Sequence, residues 1–237
     1  MSDRPIRKIP SPNIWHWPEV YEVENRAQDV EGAIFRHLRA TFDWAGRTVV
    51  DIGCGSGFHL PLFAESAETV IGIEPHQPLV NLARQRVVGM GNIRVIDGSA
   101  QHMPLDDASV DLVHARTAYF FGPGCGPGIA EALRVLRPGG ALVVVDLDAT
   151  AHPYGEWMRA DLPQYRPAAV ERFFAAQGFD LARVETKWEF SDREALRGVL
   201  NIEFTKRTAA RAFAHIPGLS LDVRYRVHVR RKPEGLL

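Results

Sequence analysis

Val49-Val50-Asp51-Ile52-Gly53-Cys54-Gly55-Ser56-Gly57 is the stretch that decides the fold of this chain. Its first half is a short β-branched run that predicts a strand, and the glycines that follow let the backbone turn sharply and approach a ligand closely. A helix is expected next, and the amides at its N-terminus favour negative or electron-rich groups. Glu74 follows Gly53 by about 20 residues, at the end of the next predicted strand, where a carboxylate can accept hydrogen bonds from a ribose diol.

Strand and helix patterns alternate outward from this stretch. Strands are predicted at 48–52, 69–73, 93–96, 110–114 and 141–145, with helices at 60–66, 78–88 and 129–136. This alternation predicts a parallel sheet covered by helices on both faces. On the N-terminal side, an irregular segment at 10–18, a helix starting near Pro18 and a helix at 30–42 are expected. On the C-terminal side, longer strands at 183–190 and 221–229 flank a helical stretch at 192–213, and a helix within 161–178 precedes them.

Two classes of nucleotide-binding protein use a glycine loop of this kind. Dinucleotide oxidoreductases place a third glycine where this chain has Phe58, and here Asp51 stands two residues before Gly53. The glycine loop alone therefore leaves the class open, and the segments that follow it must decide.

Four segments, taken in chain order, decide whether this is a dinucleotide oxidoreductase or a member of the other class. They are Val49 to Gly57, Val70-Ile71-Gly72-Ile73-Glu74-Pro75, the stretch from Gly98-Ser99-Ala100-Gln101 through Ser109-Val110-Asp111-Leu112-Val113, and Arg134-Val135-Leu136-Arg137-Pro138-Gly139-Gly140. In type, order and spacing they resemble the class I S-adenosylmethionine-dependent methyltransferases that act mostly on small molecules. The resemblance covers about residues 49–145 and implies S-adenosyl-L-methionine as the cofactor.

The resemblance also implies which residues contact the cofactor. For the methionine and ribose moieties these are Asp51, Gly53, Cys54, Gly55, Gly57 and Glu74, with the backbone near Ala115 facing the methionine amino group. For the adenine they are Pro75, His76, Ser99 and Ala100. The family commonly has aspartate where this chain has Ser99, and a hydroxyl forms a weaker, neutral hydrogen bond than a carboxylate does. A smaller contribution to cofactor affinity is therefore expected at Ser99.

By the same resemblance, the fold is expected to be Rossmann-like α/β, with seven mostly parallel strands, the last antiparallel, and helices on both faces. Residues 1–45 are expected to form an N-terminal helical cap or lid, and residues 46–237 the cofactor-binding domain, with a helical insertion at about 191–214. The aromatic segment from Trp15 to Tyr21 either closes over the site as a lid or packs on the sheet. The sequence leaves both possibilities open.

The methyl acceptor is expected over the carboxyl ends of the fourth and fifth strands. The catalytic candidates there are His152, Tyr119 and Arg116. An imidazole suits proton abstraction near neutral pH, so His152 is the preferred base for a hydroxyl acceptor. Arg116 could bind a carboxylate or phosphate of the substrate, or pair with a local acid. No metal site is predicted.

Composition limits the remaining function classes. The net charge is −1, which disfavours a non-specific nucleic-acid binder, and two cysteines cannot form a four-ligand zinc site alone. The sequence predicts neither a signal peptide nor a membrane span, so a cytoplasmic protein is expected. A monomer or a homodimer is expected. The leading function is methyl transfer to an O, N or C nucleophile of a small molecule. The alternatives are a methyltransferase for RNA or protein and a non-catalytic S-adenosylmethionine-binding protein.

Overall fold

The strands form one mixed sheet in a computed structural model that describes residues 11–235. The strands are β1 (Thr48–Ile52), β2 (Thr69–Glu74), β3 (Ile93–Asp97), β4 (Val110–Arg116), β5 (Leu136–Leu147), β6 (Asp180–Glu189) and β7 (Ser220–Arg231). Their order is β3-β2-β1-β4-β5-β7-β6. β1 to β5 pair in parallel, whereas β7 runs antiparallel to both β5 and β6. The expected seven-stranded Rossmann-like sheet with an antiparallel last strand is confirmed.

Ten helices are described within the same residues. They are α1 (Pro12–His16), α2 (Pro18–Ala27), α3 (Ala33–Thr41), α4 (Leu60–Ala64), α5 (Gln77–Arg86), α6 (Gly126–Val135), α7 (Tyr154–Asp161), α8 (Pro167–Ala176), α9 (Arg193–Glu203) and α10 (Lys206–His215). Several begin with proline in the first turn, where no amide donor is needed. The Asp192 carboxylate caps α9 by accepting from the Ala195 amide at 2.8 Å. Gly178, with φ +78°, follows α8 as expected.

The sheet separates two hydrophobic cores because successive strand side chains point to opposite faces. Val49 packs in the core beneath α3, α4, α5 and the C-terminal helices α9 and α10, while Val50 packs in the core beneath α6 and α8. Both valines are fully buried. Four consecutive buried residues in β1, Val49 to Ile52, are what a strand covered on both faces shows.

Some sequence expectations were wrong in detail. The 10–18 segment is not wholly irregular, because it contains α1, and α7 was not foreseen. The 192–213 stretch forms two helices rather than one, since Phe204 is extended (φ −129°, ψ 160°) between α9 and α10. β5 is also longer than the predicted 141–145 and begins at Leu136. Among the described residues, no helix is both long and apolar enough to cross a bilayer.

Candidate cofactor site

The glycine loop between β1 and α4 keeps its glycines for packing reasons as well as for its turn. Gly53 and Gly55 both have positive φ, +67° and +56°. A Cβ on Gly53 would lie 2.5 Å from the Cβ of Ala118, in the loop after β4, and one on Gly55 would lie 2.7 Å from Ile14 Cδ1 of α1. Side chains at these positions would push the neighbouring segments away. The loop therefore lies in close contact with both the β4 end and the N-terminal helix.

Glu74 fixes the shape of this loop from the end of β2. Its Oε2 accepts from the Gly55 amide at 3.0 Å, and its Oε1 accepts from the His76 amide at 2.9 Å. The carboxylate is buried, at 4% exposure. Each carboxylate oxygen can accept more than one hydrogen bond, so one carboxylate can accept from backbone amides and from a ribose diol together. Glu74 thus joins the glycine loop to the segment that the resemblance assigns to adenine.

A cavity of about 100 Å³ lies against this loop, and we call it the loop cavity. α1 and α2 cover one side of it, with Trp15 stacked on His76 at a ring-centroid distance of 4.3 Å. Ligand pockets typically measure about 300–1,000 Å³, so the loop cavity is smaller than a nucleotide-sized ligand. The described lining residues are Ser11, Ile14, Trp15, Tyr21, Asn25, Gln28, Gly53, Cys54, Gly55, Ser56, Phe58, His59, Glu74, Pro75, Arg116, Thr117 and Ala118.

Ser99 and Ala100 line a separate hollow of about 50 Å³, together with Pro75 and Tyr119. The Ser99 Oγ is buried and has no hydrogen-bond partner among residues 11–235. An unpartnered buried hydroxyl costs free energy, and a ligand with a polar edge would relieve that cost. This orphaned atom, together with Glu74 and the glycine loop, fits the adenosine part of the implied cofactor. Tyr119, predicted on the acceptor side, lies beside Ser99 in this hollow and has a positive φ of +53°.

Asp51 and His114 form a buried pair on neighbouring strands. His114 Nδ1 lies 2.7 Å from Asp51 Oδ1, and both side chains are almost fully buried. His114 is therefore a buried, hydrogen-bonded histidine. Neither residue lines the loop cavity, so the predicted contact of Asp51 with the methionine moiety stays a prediction. Cys54 lies in the loop, where burial raises the pKa of its thiol well above the usual value, which disfavours a nucleophile.

The remaining predicted residues lie at the end of β4 and after β5. Ala115 is fully buried within β4. Arg116, at the end of β4, lines the loop cavity and a second, larger one described below. His152 lies farther out: its side chain is 63% exposed, and its Nδ1 is 3.1 Å from Glu156 Oε1. It lines neither cavity, and its role as a base stays a prediction.

A larger cavity, of about 440 Å³, adjoins the loop cavity between α2, α3 and α4, and we call it the side cavity. The two cavities share Asn25, Gln28, Phe58, His59 and Arg116. The far wall carries two aromatic rings, Phe35 and Trp44, and the arginines Arg36 and Arg39. Its volume lies in the usual range for small-molecule pockets.

The sequence did not reveal a pair of acids where α2 meets α9. Glu203 accepts from Asn13 Nδ2 at 2.5 Å and from the Tyr154 hydroxyl at 2.7 Å, and Glu24 accepts from Gln28 Nε2 at 2.6 Å. Burial and the adjacent Glu203 carboxylate raise the pKa of Glu24 well above its usual range. Burial likewise raises the pKa of Glu203. Each acid lies in a predicted helix, where a glutamate normally belongs to the solvent-facing side. The sequence near either residue therefore gives no indication that the two acids meet.

Comparison with known proteins bears on these features. Residues 50–144 match a family model described as a methyltransferase domain. A probable S-adenosylmethionine-dependent methyltransferase of Mycolicibacterium smegmatis is 35% identical over 100 residues, 42% of this chain and 38% of that protein. The demethylmenaquinone methyltransferase of Clavibacter sepedonicus is 27% identical over 130 residues, 53% of each chain. The chain thus spans roughly a third to a half of the length of the curated relatives it matches.

Solved structures share the fold over most of the chain. The YcgJ protein of Bacillus subtilis superposes with a TM-score of 0.58 at 17% identity, covering 86% of this chain and all of that one. At this identity the likeness concerns the fold alone. Within residues 11–235 no group of three or more His, Cys, Asp or Glu side chains is placed to hold a metal ion.

Proposed function

We propose, from the premise that this chain belongs to the class I S-adenosylmethionine-dependent methyltransferases, that it transfers a methyl group to an oxygen, nitrogen or carbon of a small molecule. Its cofactor is S-adenosyl-L-methionine. When bound, the cofactor supplies a methyl group that its sulfonium already makes electrophilic. The protein must mainly align the acceptor with that methyl and exclude water.

The loop edge of the sheet supplies the binding groups in this proposal. Glu74 would accept from the ribose hydroxyls, and the Ser99 hydroxyl would pair with the polar edge of the adenine. The backbone of Gly53 and Gly55 would hold the methionine moiety. α1 and α2 would cover the ligand, because Trp15 and Tyr21 already line the loop cavity. The observation that carries the proposal is Glu74 bonded to the Gly55 amide, which ties the acid and the glycine loop into one site.

The acceptor is proposed to enter through the side cavity, which adjoins the loop cavity at Arg116 and His59. Its aromatic walls at Phe35 and Trp44 favour a small molecule with an apolar body. Burial and the neighbouring Arg116 cation hold the pKa of His59 well below its usual range, so His59 is neutral near pH 7. Tyr119 and His152 line neither cavity, so either would serve as a base only for a protonated acceptor that reaches the carboxyl ends of β4 and β5.

Binding can be tested before the acceptor is known. S-adenosylhomocysteine should raise the melting temperature, and NAD should not, since ligand stabilisation grows as RT ln(1 + [L]/Kd). Glu74→Ala should weaken S-adenosylhomocysteine binding by about 10-fold or more, because hydrogen bonds to a charged group contribute about 1.5–3 kcal/mol. Glu68→Ala, an exposed acid just before β2, is the matched control. A response to NAD alone would refute the proposal.

Transfer is tested with a labelled methyl group on the cofactor. Incubation with fractionated small metabolites, and in parallel with RNA and protein fractions, should label the small-molecule fraction. Label in RNA or protein instead would assign the macromolecular alternative. Cofactor binding with no transfer into any fraction would favour a non-catalytic binding protein.

A further inference from the structure

Arg116 is a buried guanidinium at the junction of the loop cavity and the side cavity. It is the last residue of β4 and is only 8% exposed. Among the described residues that line the loop cavity it is the one Lys or Arg side chain. Its position at the carboxyl edge of a central strand is where ligands bind in open α/β sheets.

The contacts of Arg116 within residues 11–235 do not neutralise its charge. Its Nη2 donates to Gln28 Oε1 at 2.8 Å, its Nη1 lies 3.3 Å from His59 Nε2, and its Nε has no partner. Its guanidinium carbon lies 5.1 Å from the centre of the Tyr225 ring. No carboxylate of the described chain forms an ion pair with it, although buried charges in proteins are normally paired.

Glu24 is linked to Arg116 through one intervening side chain and forms no ion pair with it. It reaches Arg116 only through Gln28, whose Nε2 donates to Glu24 Oε1 at 2.6 Å. The raised pKa of Glu24, caused by burial and by Glu203, favours its protonated form. An acid whose charged form is disfavoured balances the Arg116 charge poorly. Arg116 is therefore a buried cation that no carboxylate of residues 11–235 pairs with directly.

We propose that Arg116 is the carboxylate subsite of the loop cavity and binds the amino-acid carboxylate of the cofactor. The inference rests on the proposed function, because that cofactor carries a carboxylate at the methionine end, the end assigned to the glycine loop that borders Arg116. A planar guanidinium matches a carboxylate in a two-bond geometry, and the unpartnered Nε supplies one of the donors such a contact uses.

Gln28 acts in this proposal as a positioning residue. It follows the last residue of α2, accepts from Arg116 through its oxygen and donates to Glu24 through its nitrogen. The covering helix α2 therefore holds the guanidinium that meets the carboxylate. Loss of Gln28 should weaken the carboxylate contact without removing the charge that makes it.

The test compares two probes by calorimetry: S-adenosylhomocysteine and its decarboxylated analogue, which keeps the adenosine, thioether and amine. The natural protein should bind S-adenosylhomocysteine about 10- to 100-fold more tightly than the analogue, the range for a charge-assisted contact. Arg116→Gln should bind both probes equally, Arg116→Lys should restore part of the preference, and Gln28→Ala should reduce it. Arg94→Gln, an exposed arginine on β3, is the matched control and should keep the full preference.

The outcomes separate this inference from the proposed function. If the natural protein binds neither probe, the proposed function fails. If it binds both equally, or if Arg116→Gln keeps the preference, the function stands and the carboxylate assignment is overturned.

Adenosine, which lacks the amino-acid part, should bind Arg116→Gln and the natural protein alike, which shows that the variant is folded. Should that variant not fold, Arg116→Lys and Gln28→Ala decide the question. Benzoate that stabilises the S-adenosylhomocysteine complex only when Arg116 is present would assign the arginine to an acidic acceptor instead, and would also overturn the inference.

Discussion

The loop edge of the sheet and the junction of α2 with α9 cover the same end of the molecule but are built in opposite ways. At the loop edge, Glu74 accepts from the backbone of Gly55 and His76, 19 and 2 residues away. At the helix junction, Asn13 donates to Glu203 from 190 residues away. The first arrangement is local and readable as a motif, whereas the second exists only after the chain has folded. The glycine loop and its acid can therefore be recognised from the sequence, whereas the helix junction cannot.

The two regions also differ in how they treat buried charge. The Glu74 carboxylate at the loop edge is stabilised by backbone amides. At the helix junction, burial raises the pKa of both acids, and the neighbouring Glu203 carboxylate adds to the rise at Glu24. Such an arrangement favours one shared proton over two charges. The stability contributed by the junction is thus expected to depend on pH, and the stability of the loop edge is expected to depend on bound ligand.

The largest effect should come from Gly53→Ala at the loop edge. The new methyl group would meet the Cβ of Ala118 at 2.5 Å, at a backbone with φ +67°. Left-handed strain costs about 1–2 kcal/mol and overpacking about 1–3 kcal/mol, so unfolding free energy should fall by about 2–5 kcal/mol. Gly89→Ala, with φ +86° and open space around it, should lose only the strain part in urea denaturation. Equal losses would mean that the close approach of the β4 loop does not matter.

A smaller effect is expected from Glu203→Gln at the helix junction. A carboxyl group whose pKa is raised on folding binds more protons in the folded state than in the unfolded state. Stability is therefore greatest below the unfolded pKa and falls as pH rises towards the raised value, by up to about 1.4 kcal/mol per pH unit for each proton. Glu203→Gln should flatten this decline in unfolding curves recorded from pH 4 upwards. Glu194→Gln, on the exposed side of α9, should leave the slope unchanged, and an unchanged slope in both variants would contradict the shared proton.

The smallest effect should come from Ser99→Ala. Its hydroxyl is buried without a partner, so its removal should leave the ligand-free protein as stable as before or slightly more stable. If the hydroxyl pairs with adenine, S-adenosylhomocysteine affinity should fall by about 2- to 10-fold, the range for a neutral hydrogen bond of about 0.5–1.5 kcal/mol. Calorimetry on both proteins measures this difference. Unchanged affinity would place the polar contact to adenine elsewhere.

Prediction from the sequence succeeded where the pattern was local. β1 was read with its observed bounds, Thr48–Ile52, and Gly178 was read as the end of α8. It was less successful where tertiary contacts decide. α1 lies in a segment that the sequence analysis expected to be irregular, yet it packs Ile14 against Gly55. The helical stretch is divided at Phe204, where no glycine or proline indicates that a helix ends.

The sequence by itself determined the sheet, the glycine loop and the acid at the end of β2, because each depends on residues close in the chain and on the alternation of strand faces. Only the tertiary structure decided which distant segments pack against these elements. It brought α1 and α2 over the loop, set Glu24 against Glu203, and left Arg116 buried between two cavities with neutral partners. The physical reason is that burial and the pairing of charges are properties of segments far apart in sequence, and no local pattern records which of them will meet.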